Sequence, residues 1–364
     1  MNKEINSLYI HIPFCHQICD YCDFTKLQYF RHFALSYLKS LKEELAFYHP
    51  HNLKTIYVGG GTPTALDDDL FLSLLEIINP YLEGVEEYTF EANPESLTLN
   101  KIKLLYAHHV NRVSLGVQTT DDKILKSLNR QHTFLDVKEA IKNLKEVGIN
   151  NINVDLILGL PNSNIATLKQ DLDNVLSLDI KHLSCYGLTV SPHTVMYQKG
   201  VSEPQPDILR KYYDIVEETL KKHGFIHYEI SNWCLPGYQS LHNLTYWRNF
   251  QYYGVGLGAS GYIDDIRYKN TVNLSRYLKG EYLAEKEKLS PKDLLTYQIM
   301  LNLRTNEGLD LNFLRENLSS QIYQQKEEII TSFIKDKLAV IKDNHLIATY
   351  EGMMILDQLI LQLL

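Results

Sequence analysis

No run in this 364-residue sequence approaches the roughly 20 consecutive apolar residues of a membrane-spanning helix. Its opening stretch, MNKEINSLYIHIPF, also lacks an apolar core of signal-peptide length. The expected location is therefore cytoplasmic. Positive charge is not in excess: 36 Lys and Arg stand against 44 Asp and Glu, a net of −8. That balance argues against nucleic acid or an anionic membrane surface as a partner. Cysteine is scarce, at five residues, and three of the five crowd into positions 15 to 22. Such a distribution excludes a disulfide framework and, in a reducing compartment, points to metal binding or redox chemistry. Charged residues (22%) and hydrophobic residues (45%) occur in the proportions of an ordinary globular protein. The length suits about two domains.

The first half of the chain alternates β-rich runs with amphipathic helical patterns. Strands are expected at 7–12, 54–59, 87–92, 112–118, 152–159 and 182–188, with helices near 30–48, 68–79, 98–107, 121–128, 134–147 and 164–177. Repeated strand–helix units imply right-handed crossovers and a parallel sheet. Six units are too few for a closed eightfold barrel but fit a partial (β/α)6 TIM-like barrel. Glycine-rich or polar segments follow the strand ends: GGGTP at 59–63, EANPE at 91–95, Gln118, and LGLP at 158–161. In parallel α/β folds that end carries the site. The expected limits are 1–203 for the barrel and 204–285 for an extension containing YEISN and HNLTYW. Residues 286–364 are expected to form a smaller C-terminal domain, helical and winged-helix-like. That domain pattern often binds DNA, but residues 285–364 carry 9 Lys and Arg against 12 Asp and Glu, so a lid or docking role fits better. The glycines at 254, 256, 258 and 261 suggest close backbone packing.

Cys15, Cys19 and Cys22 follow the first strand with the spacing C-x3-C-x2-C. A structural zinc site usually takes four ligands in two pairs; His11, His16 or Cys234 would have to serve as the fourth. Thiolates also hold iron–sulfur clusters. Three of them on a [4Fe–4S] cubane leave one iron open for an exchangeable ligand, and this is the preferred reading, with zinc or coincidence as alternatives.

This loop after a first strand resembles the radical S-adenosylmethionine (SAM) superfamily. The segments YIHIPFC, YCDF, GGGTPT, EANPE, GVQT, LNRQH, NVDLILGLP, YEISN and HNLTYW are similar to those of the HemN/HemW family, across roughly residues 7–262. That family holds the oxygen-independent coproporphyrinogen III oxidases and their haem-chaperone relatives. The resemblance implies a [4Fe–4S] cluster on Cys15, Cys19 and Cys22, with SAM on the open iron and a 5′-deoxyadenosyl radical as the product of its reduction. It further implies that Tyr9, Tyr21, Gly60, Gly61, Thr62, Glu91, Gln118, Arg130 and Asp155 bind SAM. Glycine suits close backbone approach, Arg130 a planar clamp on a carboxylate, and Asp155 the ribose hydroxyls. No catalytic residue is assigned beyond the cluster.

Three features favour the haem-chaperone subgroup over the oxidases. The oxidases carry a further cysteine two residues after the third, where this chain has Phe24. They also have a long N-terminal extension, whereas only about fourteen residues precede Cys15 here. HNLTYW, residues 242–247, matches the HNxxYW motif associated with haem. His242 is the expected haem ligand, since imidazole is a common axial ligand. Where the subgroup commonly reads GAHS, this chain has Gly258-Ala259-Ser260-Gly261 and lacks the histidine. The expected partners are haem or porphyrin as cargo, a haem-acceptor protein and an electron donor. No nucleic acid is expected, and membrane contact only through acceptors. SAM cleavage is expected to be within reach; coproporphyrinogen III oxidation is the alternative activity, and haem binding without SAM turnover a further one.

Overall fold

A computed structural model describes residues 4–364. Six strands run parallel in chain order: β1 (Ser7–Ile12), β2 (Thr55–Gly60), β3 (Glu87–Ala92), β4 (Arg112–Gln118), β5 (Asn151–Leu158) and β6 (His182–Gly187). Between them lie helices α1 (Arg31–Tyr48), α2 (Asp68–Ile78), α3 (Leu99–Ala107), α4 (Phe134–Val147) and α5 (Ile165–Leu176), with a short helix at Asp122–Ser127. Several helix starts are capped as their sequence predicts. Thr133 and Asp136 form a reciprocal capping box, and α4 ends at Gly148 with φ +111°, as a left-handed helix terminus favours.

The strands alternate in character. Leu8, Ile10, Ile12, Ile56, Val58, Phe90, Val113, Leu115, Val154 and Leu183 all lie in the main core with the helices. Burial of each such side chain contributes about 1.5–3 kcal/mol. The intervening positions are polar: Tyr9, His11, Tyr57, Thr89, Glu91, Arg112, Ser114, Asn153, Asp155 and Ser184. A sheet buried on both faces normally reads as a continuous apolar run. Here the inward face is lined with polar side chains, as a partial barrel with a working interior requires.

The sheet does not stop at residue 203. After helix α6 (Pro206–Lys222) come strands β7 (Ile226–Glu229) and β8 (Asn232–Cys234); β8 pairs antiparallel with β6, and β7 pairs antiparallel with β8 at the sheet edge. Helix α7 (Leu241–Trp247) follows, and β9 (Tyr253–Val255) adds parallel to β1. The result is one nine-stranded sheet, β9-β1-β2-β3-β4-β5-β6-β8-β7. Segment 204–285 thus supplies both edges of the sheet, and it ends in a three-stranded antiparallel sheet (Ser260–Ile263, Ile266–Asn270, Leu283–Lys288). The glycine-rich turn is packed tightly. Gly256, at φ +101°, lies against the His11 backbone, and its N–H donates to the buried Glu44 carboxylate at 2.8 Å.

The C-terminal region has its own core. Helices Pro291–Asn302, Leu311–Asn317 and Ser320–Lys335 precede the hairpin Ala339–Lys342 and His345–Ala348, with Leu309–Asp310 as the third strand. This is the winged-helix-like arrangement expected. It joins the outer edge of β7: Ile230 N–H donates to Arg304 O at 3.0 Å and Asn306 N–H to Tyr228 O at 2.9 Å.

Candidate functional site

The strand ends gather the expected residues at one mouth. The first cysteine loop and the glycine segment are laid against each other by backbone bonds, Gly61 N–H to Ile12 O and Thr62 N–H to Phe14 O, both 2.9 Å. Cys15 is buried, with Sγ 3.5 Å from Thr62 Oγ1. Burial, only partly offset by the Thr62 contact, pushes its thiol up to about 11. Burial also raises the Cys22 thiol. Both remain protonated near neutral pH until a metal displaces the proton. All five cysteines are free thiols. Among the described residues no three His, Cys, Asp or Glu side chains converge as ligands of a single ion. A cubane needs a different arrangement, because each thiolate takes a separate iron. Three free thiols on one eight-residue loop fit that donor set.

Glu91 sits opposite this loop. Tyr57 OH donates to Oε1 at 2.7 Å and Gly60 N–H to Oε2 at 2.9 Å. Burial outweighs these bonds and pushes its carboxyl up to about 7. A cationic group arriving beside it would favour the carboxylate. Gly59 is required for this contact: a Cβ there would lie 2.5 Å from the Glu91 carboxyl carbon. Asp155 accepts from Ser114 Oγ at 3.0 Å and Asn153 Nδ2 at 2.8 Å, and burial raises its carboxyl as well. Asp155 stands in register with Gly116, Ser184, Asn232 and Glu229 across β4, β5, β6, β8 and β7. Gln118 ends β4 at φ +71°, where the register with β5 shifts. A non-glycine residue in this region costs energy, and such strain gathers at functional positions.

Arg130 was expected to hold a carboxylate. Its guanidinium donates to Gly116 O at 2.5 Å, Asn93 Oδ1 at 3.1 Å and Cys19 Sγ at 3.4 Å, while Nε has no protein partner. It is thus placed between Cys19 and the end of β4, with one donor unspent. Tyr21 packs against the small apolar cluster that includes Leu128, Leu160 and Met196. Tyr9 OH lies 2.9 Å from His11 Nδ1, and its ring 6.1 Å from that of Tyr57. The sequence reading gave Tyr57, Asn93, Arg112 and Glu229 no role of their own and weighed His11 only as a zinc ligand. For His11, Tyr57 and Arg112 the signal was the polar residue at every second position of strands whose other positions are apolar.

His242 lies elsewhere. The first inward rung of the sheet, Ser7, Thr55 and Glu87, holds helix α7 across the end opposite the cysteine loop. Glu87 accepts from Leu241 N–H at 2.8 Å, His242 N–H at 3.0 Å and Ser240 Oγ at 3.2 Å. His242 is fully buried. Its Nδ1 is 2.8 Å from Thr55 Oγ1 and its Nε2 2.8 Å from Tyr246 OH. Since Thr55 donates to Ser7, Nδ1 carries the proton and Nε2 accepts from Tyr246. Burial pushes this imidazole down to about 3. His242 therefore presents no free nitrogen to an iron in this conformation. Tyr246 lies 4.7 Å from Tyr252, ring to ring, and the His242 ring 5.2 Å from Tyr57. Together they form an aromatic floor under the interior. A separate cavity of about 540 Å³, lined by Arg248, Phe250, Tyr262, Lys288, Leu294 and Phe313, holds none of the expected site residues.

Residues 9–175 match the family model for the radical SAM superfamily, and residues 289–355 that for the HemN C-terminal domain. The heme chaperone HemW of Lactococcus lactis is 39% identical over 347 residues, covering 93% of this chain and 92% of that protein. Its namesake in Bacillus subtilis is 36% identical over 91% of both chains, and the one in Escherichia coli is 33% identical over 79% of both. Among solved structures, the coproporphyrinogen III oxidase HemN of Escherichia coli, titled a radical SAM enzyme, superposes with a TM-score of 0.86. It is 22% identical and covers 99% of this chain and 90% of its own. That likeness establishes the shared fold.

Proposed function

The chain belongs to the HemW family of haem chaperones within the radical SAM superfamily, and from this premise we propose that it binds haem and passes it to an acceptor protein. The observation that carries the proposal is the 39% identity to a heme chaperone over 93% of the chain. In this reading Cys15, Cys19 and Cys22 hold a [4Fe–4S] cluster and leave one iron for SAM. When bound and reduced, the cluster supplies one electron to the SAM sulfonium; such chemistry belongs to the cofactors, and the protein orients and shields it. The residues of this chain have distinct tasks. Glu91 receives a cationic or hydroxyl group of SAM, with Tyr57 and Gly60 fixing its carboxyl. Gly60, Gly61 and Thr62 let that end of the ligand approach the backbone. Asp155 takes ribose hydroxyls, Gln118 offers both a donor and an acceptor, and Arg130 turns its free donor to the SAM carboxylate. Tyr9 and Tyr21 wall the site from water. His242 serves haem handling indirectly, by fixing the helix that carries Tyr246 and Trp247. An electron donor and a haem acceptor complete the cycle, placed in the cytoplasm. Among the described residues no helix is long and apolar enough to cross a membrane.

The test is anaerobic reconstitution with iron and sulfide. The wild type should gain the broad visible absorbance of a thiolate-bound cluster, and Cys19→Ser should lose it. With SAM and dithionite the wild type should release 5′-deoxyadenosine. A cluster that persists in Cys19→Ser would refute the ligand assignment. Protoporphyrinogen formed from coproporphyrinogen III would make the protein an oxidase.

A further inference from the structure

We propose that haem docks on the outer face of α1, beside the cysteine loop, with His32 as its axial ligand; this rests on the haem-chaperone reading. Several imidazoles are already engaged. His11, His132, His182 and His242 are buried. His227 lies flat on Trp233 and faces Glu217. Of the exposed histidines, only His16 and His32 touch an aromatic ring, and His16 is edge-on to Tyr29 within the cysteine loop itself.

His32 has a different setting. Its ring lies 4.1 Å from Phe33 and 6.1 Å from Phe30, centroid to centroid. Both phenylalanines are exposed, at 39% and 51%, as is Leu35 at 60%. Two exposed phenylalanine rings against one exposed imidazole, with Leu35 one helical turn on, are costly to leave in water. They match a flat apolar macrocycle whose iron takes a nitrogen ligand. The His32 ring nitrogens bond to no protein group; only its backbone carbonyl is used, by Ser36.

The charge is complementary too. Lys39 is exposed and lies seven residues from His32, on the same helix face and about 10 Å along the axis. That separation is of the order of the reach from a haem iron to a propionate carboxylate. The helix begins just beyond the strand that backs the cysteine loop, where Tyr29 N–H donates to Cys15 O at 2.9 Å. Haem seated here would therefore lie next to the cluster loop, outside the barrel.

Haemin titration, followed at the Soret band, tests the site. Because His32 is at the surface, its replacement should leave the fold intact. His32→Ala should weaken binding by about tenfold or more, and His32→Cys should convert the spectrum to that of a thiolate-ligated haem. Lys39→Glu should weaken binding without altering the spectrum. If the wild type binds haem and both His32 variants reproduce its affinity and spectrum, the site is wrong while the haem-chaperone reading stands. If the wild type binds no haem, both fall.

Discussion

Glu229 is buried at the far end of the inward rung, and its Oε1 has no protein partner. Burial pushes its carboxyl up to about 8. An unfolded glutamate loses its proton near 4.5, so between about pH 4.5 and 8 the folded state retains a proton that the unfolded state has released. Stability from this group is complete below that window, falls through it as pH rises, and is level above it. Glu229→Gln keeps the shape and cannot ionise. The stability difference between wild type and variant, measured by urea unfolding, should move against the wild type by up to about 1.4 kcal/mol per pH unit across the window. A difference independent of pH would contradict the assignment. At this scale the sequence was half legible. Glu91 and Asp155 were found through the family resemblance, Glu91 also from its place at a strand end, whereas Glu229 sits in a four-residue strand with no alternation to reveal that it points inward.

Helix α7 shows how an element can carry a motif for reasons of its own. HNLTYW reads as a haem motif, yet each of its polar residues near the sheet has a structural bond: Thr245 with Ser7, His242 with Thr55 and Tyr246, and the helix N-terminus with Glu87. Glu87→Ala would leave two backbone N–H groups and the Ser240 hydroxyl without their acceptor. Unmet buried groups cost about 1–3 kcal/mol each, so with three of them a loss of at least about 3 kcal/mol is expected by denaturant unfolding. The cluster absorbance of the reconstituted variant should survive, because the cysteine loop is at the other end of the strands. Loss of both together would show that the two ends are not separable. The six barrel strands were legible because their apolar residues recur at every second position between helical patterns. β7, β8 and β9 were not, being three or four residues long and drawn from a glycine- and tyrosine-rich stretch whose partners are distant in sequence.

Across the whole molecule, the buried acids gather inside the barrel. Glu87, Glu91, Asp155 and Glu229 face the interior, with Arg112 as the buried cation among them. Burial raises the carboxyls of Glu91, Asp155 and Glu229, so the interior is less negative than its composition suggests. The C-terminal domain is fastened by backbone bonds to β7, by Asn302 Nδ2 donating to Trp247 O at 2.8 Å, and by the Arg248–Glu307 ion pair. It thereby braces the end of α7, and its net charge is negative. The central claim, that this is a haem chaperone, is tested most directly by titrating the anaerobically reconstituted protein with haemin and then adding an apo-haemoprotein. The account predicts one saturable class of bound haem, transferred to the acceptor on mixing. Haem that never saturates, or that stays with the chain when an acceptor is offered, would contradict it.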